Sequence, residues 1–352
     1  MRRRLPVPTA PPRPRRLADL TPRQRQVLEL LVRQYLASAR PVGSQALAVE
    51  GRWAWAPATL RQTMLELEEL GLLEQPHAAA GRVPSDRGYR LFVDGLDGPS
   101  PLTESEREAV EQALTQSARD VEHLLQQASH LLADLARELG FAVRPTLEAR
   151  RLSDIQLMYL SERRALLVLT VEEGIVRSAT LDVPAALTRA ELERIARLLR
   201  ERLLGCSLSE VRRRLADDQA LVRDAAAALV ALACVDALAE AARPGLFVGG
   251  AAHVARHPEF REAGRLTPVL ELLDRAEPWR ELVPGERDGE SGLTVSIGRE
   301  NARPELAHLS LVSYRLGGPV GASIGLLGPR RMDYGRAMGL VDFVGRRLSS
   351  LL

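Results

Sequence analysis

At 352 residues the chain is too long for one ordinary core, so two or three domains are expected. With 45% apolar and 27% charged residues, and Arg as the basic residue throughout, it reads as a folded globular protein rather than a disordered one. A net charge of +2 conceals an excess of about six Arg over Asp and Glu in the first 96 residues, the end where a polyanion would bind.

In chain order, residues 1–18 form a Pro- and Arg-rich tail with no hydrophobic period, expected to be unstructured. Thr21-Pro22-Arg23-Gln24 carries a cap, a first-turn proline and a capping-box partner, and Val27, Leu28, Leu31, Tyr35 and Leu36 continue as a helix to about Ser38. After Pro41, Gly43-Ser44 opens a short second helix that Gly51 stops. Pro57 starts a third helix with Leu60, Met64 and Leu67 on one face and Gly71 as its terminator. The segment 72–84 suits a short hairpin with a flexible tip, and Ser85-Asp86 caps a fourth helix to about Gly95. Three short helices followed by a hairpin predict a winged helix-turn-helix over 19–97.

Asp97-Gly98-Pro99-Ser100-Pro101 is the clearest linker, because its prolines and glycine disfavour both helix and central strand. An amphipathic helix or helix pair is predicted over 103–139. The period then changes to strands at 155–160, 165–171 and 175–181, to helices at 188–204, 209–215 and 219–241, and to strands again at 246–248, 293–297, 306–316 and 320–327. A last helix fills 334–352. This order predicts an α+β domain over 141–352, interrupted by a mainly helical insertion at about 184–268.

On the third helix, advancing about 100° per residue from Leu60 turns Gln62 outward, flanked by Thr59, Arg61 and Glu66. Arg and Gln near a helix N-terminus are the residue types that read guanine and adenine in the major groove. A solvated polar face is the plain alternative. Arg82 in the hairpin, His77 near its tip, and Arg87 and Arg90 beyond it could reach phosphate or a narrow minor groove.

His253 and His257 share a helix face but lack a nearby third ligand, so capping or surface roles outrank a metal site. Cys206 and Cys234 read as buried free thiols, and no disulfide framework is available. The stretch 325–330 lacks the spacing and the Lys of a phosphate loop, and no nucleophile elbow or catalytic constellation is present, so no enzyme is expected. No run reaches the roughly 18 apolar residues of a membrane span, and the Arg-rich start lacks the apolar segment of a secretory signal. A cytoplasmic location is the expectation.

Several motifs, in order, resemble the HrcA family of heat-inducible transcription repressors. Pro41-Val42-Gly43-Ser44, Ala58-Thr59-Leu60-Arg61, Leu67-Glu68-Glu69-Leu70-Gly71-Leu72-Leu73, Gln75-Pro76-His77, Ala80-Gly81-Arg82-Val83-Pro84 and Asp86-Arg87-Gly88-Tyr89-Arg90 look like its DNA-binding domain. Ile297-Gly298-Arg299-Glu300-Asn301 and Gly328-Pro329-Arg330-Arg331-Met332-Asp333-Tyr334 look like its C-terminal signature. The resemblance implies a winged helix, a GAF-like domain and a dimerising insertion. It implies a homodimer on double-stranded DNA at an inverted-repeat operator called CIRCE, with a GroEL-type chaperonin as modulator and no cofactor, metal or membrane.

The expected DNA-binding residues are Ser44, Thr59, Arg61, Gln62, His77, Arg82, Arg87 and Arg90. Two departures bear on the operator: Gln62-Thr63 stand where the family usually has Asn-Asp, and Ala56-Pro57 replace the usual Ser pair at the helix start. The linker's Trp53 and Trp55 are assigned to packing. A GAF-like body that senses a small molecule is the alternative regulatory reading.

Overall fold

A computed structural model describes residues 16–51, 55–116, 121–144, 147–148, 150–183, 187–217, 225–261, 264–283, 292–317 and 321–352. Most of the proposed tail lies outside these. Its last residues do not: Leu17–Asp19 form a helical turn, with Leu17 packed against the core, so the N-terminal unit begins earlier than residue 19.

That unit holds α1 (Pro22–Ser38), α2 (Ser44–Glu50), α3 (Pro57–Glu69), β1 (Leu73–Glu74), β2 (Val83–Pro84) and α4 (Asp86–Asp94). Local chemistry sets its boundaries. Thr21 and Gln24 exchange bonds in a capping box at the start of α1, and Ser85 Oγ accepts from the Gly88 amide at the start of α4. Gly71, at φ 73°, ends α3 with its amide bonded to the Glu68 carbonyl and the Leu72 amide to that of Leu67, the paired bonds of a Schellman motif.

Beyond α5 (Glu104–Gln116) and α6 (Val121–Ala136), a five-stranded antiparallel sheet runs in the order β7-β3-β10-β9-β8. Its strands are β3 (Leu139–Arg144), β7 (Gly245–Gly249), β8 (Gly292–Ile297), β9 (Leu309–Arg315) and β10 (Ser323–Pro329). Helix α6 and the C-terminal helix cover one face, with Ala142, Val312, Ile324 and Leu326 beneath them. The other face carries Phe141, whose ring lies 4.5 Å from Trp279, amid a cluster from the short segments between β7 and β8.

The expected amphipathic helix is thus two helices, and its end is corrected. Arg137 takes a left-handed φ of 61°, and from Leu139 the chain is strand. Leu139, Phe141 and Val143 alternate with period two, a signal hidden by the helical stripe that precedes it.

The boundaries of the insertion are also corrected. β4 (Leu152–Ser161), β5 (Arg164–Val171) and β6 (Val176–Asp182) form a separate sheet. They share a core with α7 (Arg189–Leu203), α8 (Leu208–Asp217) and α9 (Ala225–Ala242). Because β3 and β7 are neighbours in the main sheet, the interruption lies between Arg144 and Gly245. Strand residues of similar character say nothing about which sheet they join. Cys206 and Cys234 are buried free thiols in this second unit, and burial pushes the Cys234 thiol up to about 12.

After β7 come α10 (Ala251–Arg256), α11 (Thr267–Asp274) and α12 (Glu277–Leu282), and α13 (Tyr334–Leu351) closes the chain. His253 lies 3.6 Å from Asp134 and His257 2.9 Å from Glu138, so the two rings address different carboxylates. The Glu138 bond raises the affinity of His257 for its proton, and burial raises that of Glu138 by more than the imidazole lowers it.

Both groups hold protons more tightly in the fold than in the unfolded chain. Glu138's share of stability therefore declines above its ordinary value of 4.5, and His257's is complete below 6.5 and lost as pH rises through its raised value. Thermal melts should show stability falling as pH rises above 6.5, a fall that His257→Phe reduces. Equal falls in the two proteins would contradict the assignment.

Candidate nucleic-acid interface

Burial of Leu60, Met64 and Leu67 fixes the rotation of α3 about its axis. Arg61 and Gln62 are consequently exposed, and Thr59 is half-buried beside them. Thr63 faces the core with its hydroxyl bonded to the Thr59 carbonyl at 3.1 Å, so one of the two departures from the family pattern is an inward-facing residue. Ala56 gives α3 no side-chain cap, and Pro57 occupies its first turn. Ser44 is half-buried at the first position of α2, and His77 is exposed in the β1–β2 turn.

The hairpin is tied to the helices. Val42, just before α2, and Arg82 exchange backbone bonds of 2.9 and 2.8 Å, which adds a third extended segment beside the hairpin. Gly81 makes this possible, because a Cβ there would collide with the Val42 carbonyl. The guanidinium of Arg82 donates to Glu68 on α3 at 2.9 Å, joining the hairpin to the end of that helix. Trp55 packs against the core, in line with its assignment, while Trp53 lies outside the described residues.

The expected DNA-binding residues thus separate. Ser44, Thr59, Arg61, Gln62 and His77 stand half-buried or exposed on α2, α3 and the hairpin turn. Arg82 is paired with Glu68, and Arg87 donates to the Leu70 carbonyl at 3.1 Å, bracing the end of α3. Arg90 donates to Glu300 at 2.9 Å and to the Val295 carbonyl at 2.7 Å, so in this structure its charge is paired with the body. Sequence reasoning missed these bonds because its partners lie more than 200 positions away.

Gly81→Ala should cost about 1–3 kcal/mol in urea unfolding, the usual range for forcing atoms into filled space. Amide exchange at Val42 and Arg82 should accelerate with it. Unchanged exchange at both amides would show that the glycine is dispensable.

Three comparisons bear on this geometry. The family described as HrcA protein C terminal domain matches residues 122–338. The heat-inducible transcription repressor HrcA of Pelotomaculum thermopropionicum is 32% identical over 342 residues, covering 95% of this chain and 97% of that protein. The repressor of the same name from Moorella thermoacetica is 33% identical over 344 residues, covering 94% and 97%. A crystal structure of a hypothetical protein, 24% identical, superposes with a TM-score of 0.63 over 94% of this chain and 98% of that one, a likeness of fold.

Proposed function

Because the chain belongs to the HrcA family of heat-inducible transcription repressors, we propose that it represses by binding an inverted-repeat, CIRCE-type operator as a homodimer. It is a transcription repressor of the stress response, and the family is not one of enzymes. The observation that carries the DNA-reading assignment is the exposure of Arg61 and Gln62 on a helix whose opposite face is locked into the core. In a winged helix-turn-helix, α3 enters the major groove, where Arg61 donates to guanine and Gln62 pairs with adenine. Thr59 and Ser44 flank that surface, and His77 on the wing tip reaches the adjoining backbone or minor groove.

A two-fold dimer would present two such helices to the two halves of a palindrome. The inserted unit supplies a surface suited to it. Met158, Leu160 and Val176 are exposed on its sheet, and Leu229 and Leu232 are exposed on α9, large apolar side chains of the kind a partner surface covers. A GroEL-type chaperonin that binds the competent form preferentially would raise repressor activity until heat diverts it to other clients.

Arg61→Ala with Gln62→Ala should abolish preference for operator over random duplex in gel-shift titrations while leaving the melting curve unchanged. Each bidentate base contact is worth about 1–3 kcal/mol, so the combined loss of discrimination is at least about tenfold. Retained specificity in the double variant would sink the assignment of α3 as the reader.

The small-molecule reading has one observation behind it. A cavity of about 520 Å³ lies between the N-terminal unit and the body, lined by Arg33, Phe92, Glu138, His257, Arg331 and Arg336 among others. A metabolite that raised the melting temperature and also changed operator affinity would favour it.

A further inference from the structure

Three of the sequence motifs meet at one seam. Asp86, the first residue of α4, accepts from Arg330 Nη1 at 2.6 Å and from the Arg299 amide at 3.1 Å. Gly298 sits at φ 57°, and a Cβ on it would collide with the Asp86 carboxylate, so the approach of this loop requires glycine twice over. One helical turn on, Arg90 engages Glu300 and the Val295 carbonyl, with Asp94 also 3.3 Å from its guanidinium. Between them the ring of Tyr89 lies 5.9 Å from that of Tyr334, whose hydroxyl donates to the Arg330 carbonyl.

The seam extends to α1. Arg331 donates to the Leu36 carbonyl at 2.7 Å and to Glu259 at 2.8 Å. On the body side the loop is held from within, since the buried Asn301 amide donates to the carbonyls of Gly298, Leu306 and Leu309. The joint therefore grips α1 and α4, and leaves α2, α3 and the hairpin turn, where the exposed candidate readers stand, outside it.

We infer that the pairs Asp86–Arg330 and Arg90–Glu300 are positioning residues that set the angle of α3 to the body, and thereby the half-site spacing the dimer accepts. This rests on the operator reading above. The requirement for a fixed angle follows from size: over a lever of about 20 Å, less than the diameter of a small domain, a tilt of about 10° moves the reading helix by ~3.4 Å, one base-pair step. The apolar contact of Tyr89 with Tyr334 resists separation but tolerates rotation, whereas paired charges with defined hydrogen bonds do not.

The test uses full-length protein carrying Arg90→Glu, Glu300→Arg or both. Spin labels go on Val49→Cys and Arg346→Cys, both positions being exposed and the native cysteines buried. Each single reversal should broaden the label-to-label distance distribution, and the double reversal should narrow it again. On operators whose spacer is changed one base pair at a time, the singles should lose at least about tenfold of the discrimination between best and neighbouring spacers, and the double should recover it. Discrimination is the readout because Arg90→Glu also changes net charge and so lowers affinity for every duplex.

Arg330→Gln and Asp86→Asn, which drop charge with little change of shape, carry the same expectation if a reversal unfolds the chain. Narrow distances and an unmoved spacer optimum in folded single variants would overturn the inference. Broadened distances in a protein whose wild type prefers no inverted repeat would uphold the joint and remove the operator reading instead.

Discussion

Leu60, Met64 and Leu67 lie along one side of α3, and the structure hides all three against α1 and the rest of the N-terminal core. Each buried side chain of this size contributes about 1.5–3 kcal/mol. A surface ion pair contributes about 0–1 kcal/mol. The apolar stripe therefore decides which way the helix faces, and the polar arc from Thr59 to Gln62 has no alternative but solvent. The Schellman end at Gly71, the Arg82–Glu68 pair and the Arg87 bond to the Leu70 carbonyl then brace the last turn of that helix and place the hairpin next to it.

Much of this is legible in the sequence, for physical reasons that differ by element. The capping box at Thr21, the cap at Ser85 and the terminator at Gly71 are local, each settled within a few residues, and all three stand where the sequence puts them. Periodicity gave α3 and its outward arc for the same reason. What could not be read was pairing across distance. Strands at 155–181 have the alternation of any half-buried strand, and nothing in them reveals a separate sheet. Arg90 has the appearance of a free cation until Glu300 is brought to it by the fold. Arg82 is a milder case, since Glu68 is only fourteen positions away, but the turn geometry that joins them is tertiary.

The chain's topology lets one sheet carry a separately packed unit on one flank and contact the N-terminal unit on the other. The inserted unit leaves the main sheet after β3 and returns at β7, its neighbour, so it forms a core of its own without opening the sheet that carries it. On the opposite flank, the main sheet's C-terminal loops reach α4 and α1. One apolar cluster runs without a break from Leu20 through Tyr89 and Tyr334 to Leu348. Packed side chains and fixed polar pairs thus connect the body to the N-terminal unit without a gap.

The central claim is that two copies of α3, each facing outward from its own core, read a palindrome together. Selection of bound duplexes from a random-sequence library tests it most directly, because it presumes neither operator nor partner. The account predicts an enriched inverted repeat whose half-sites are separated by a fixed spacer. A single unpaired site, or no enrichment over the starting pool, would contradict it.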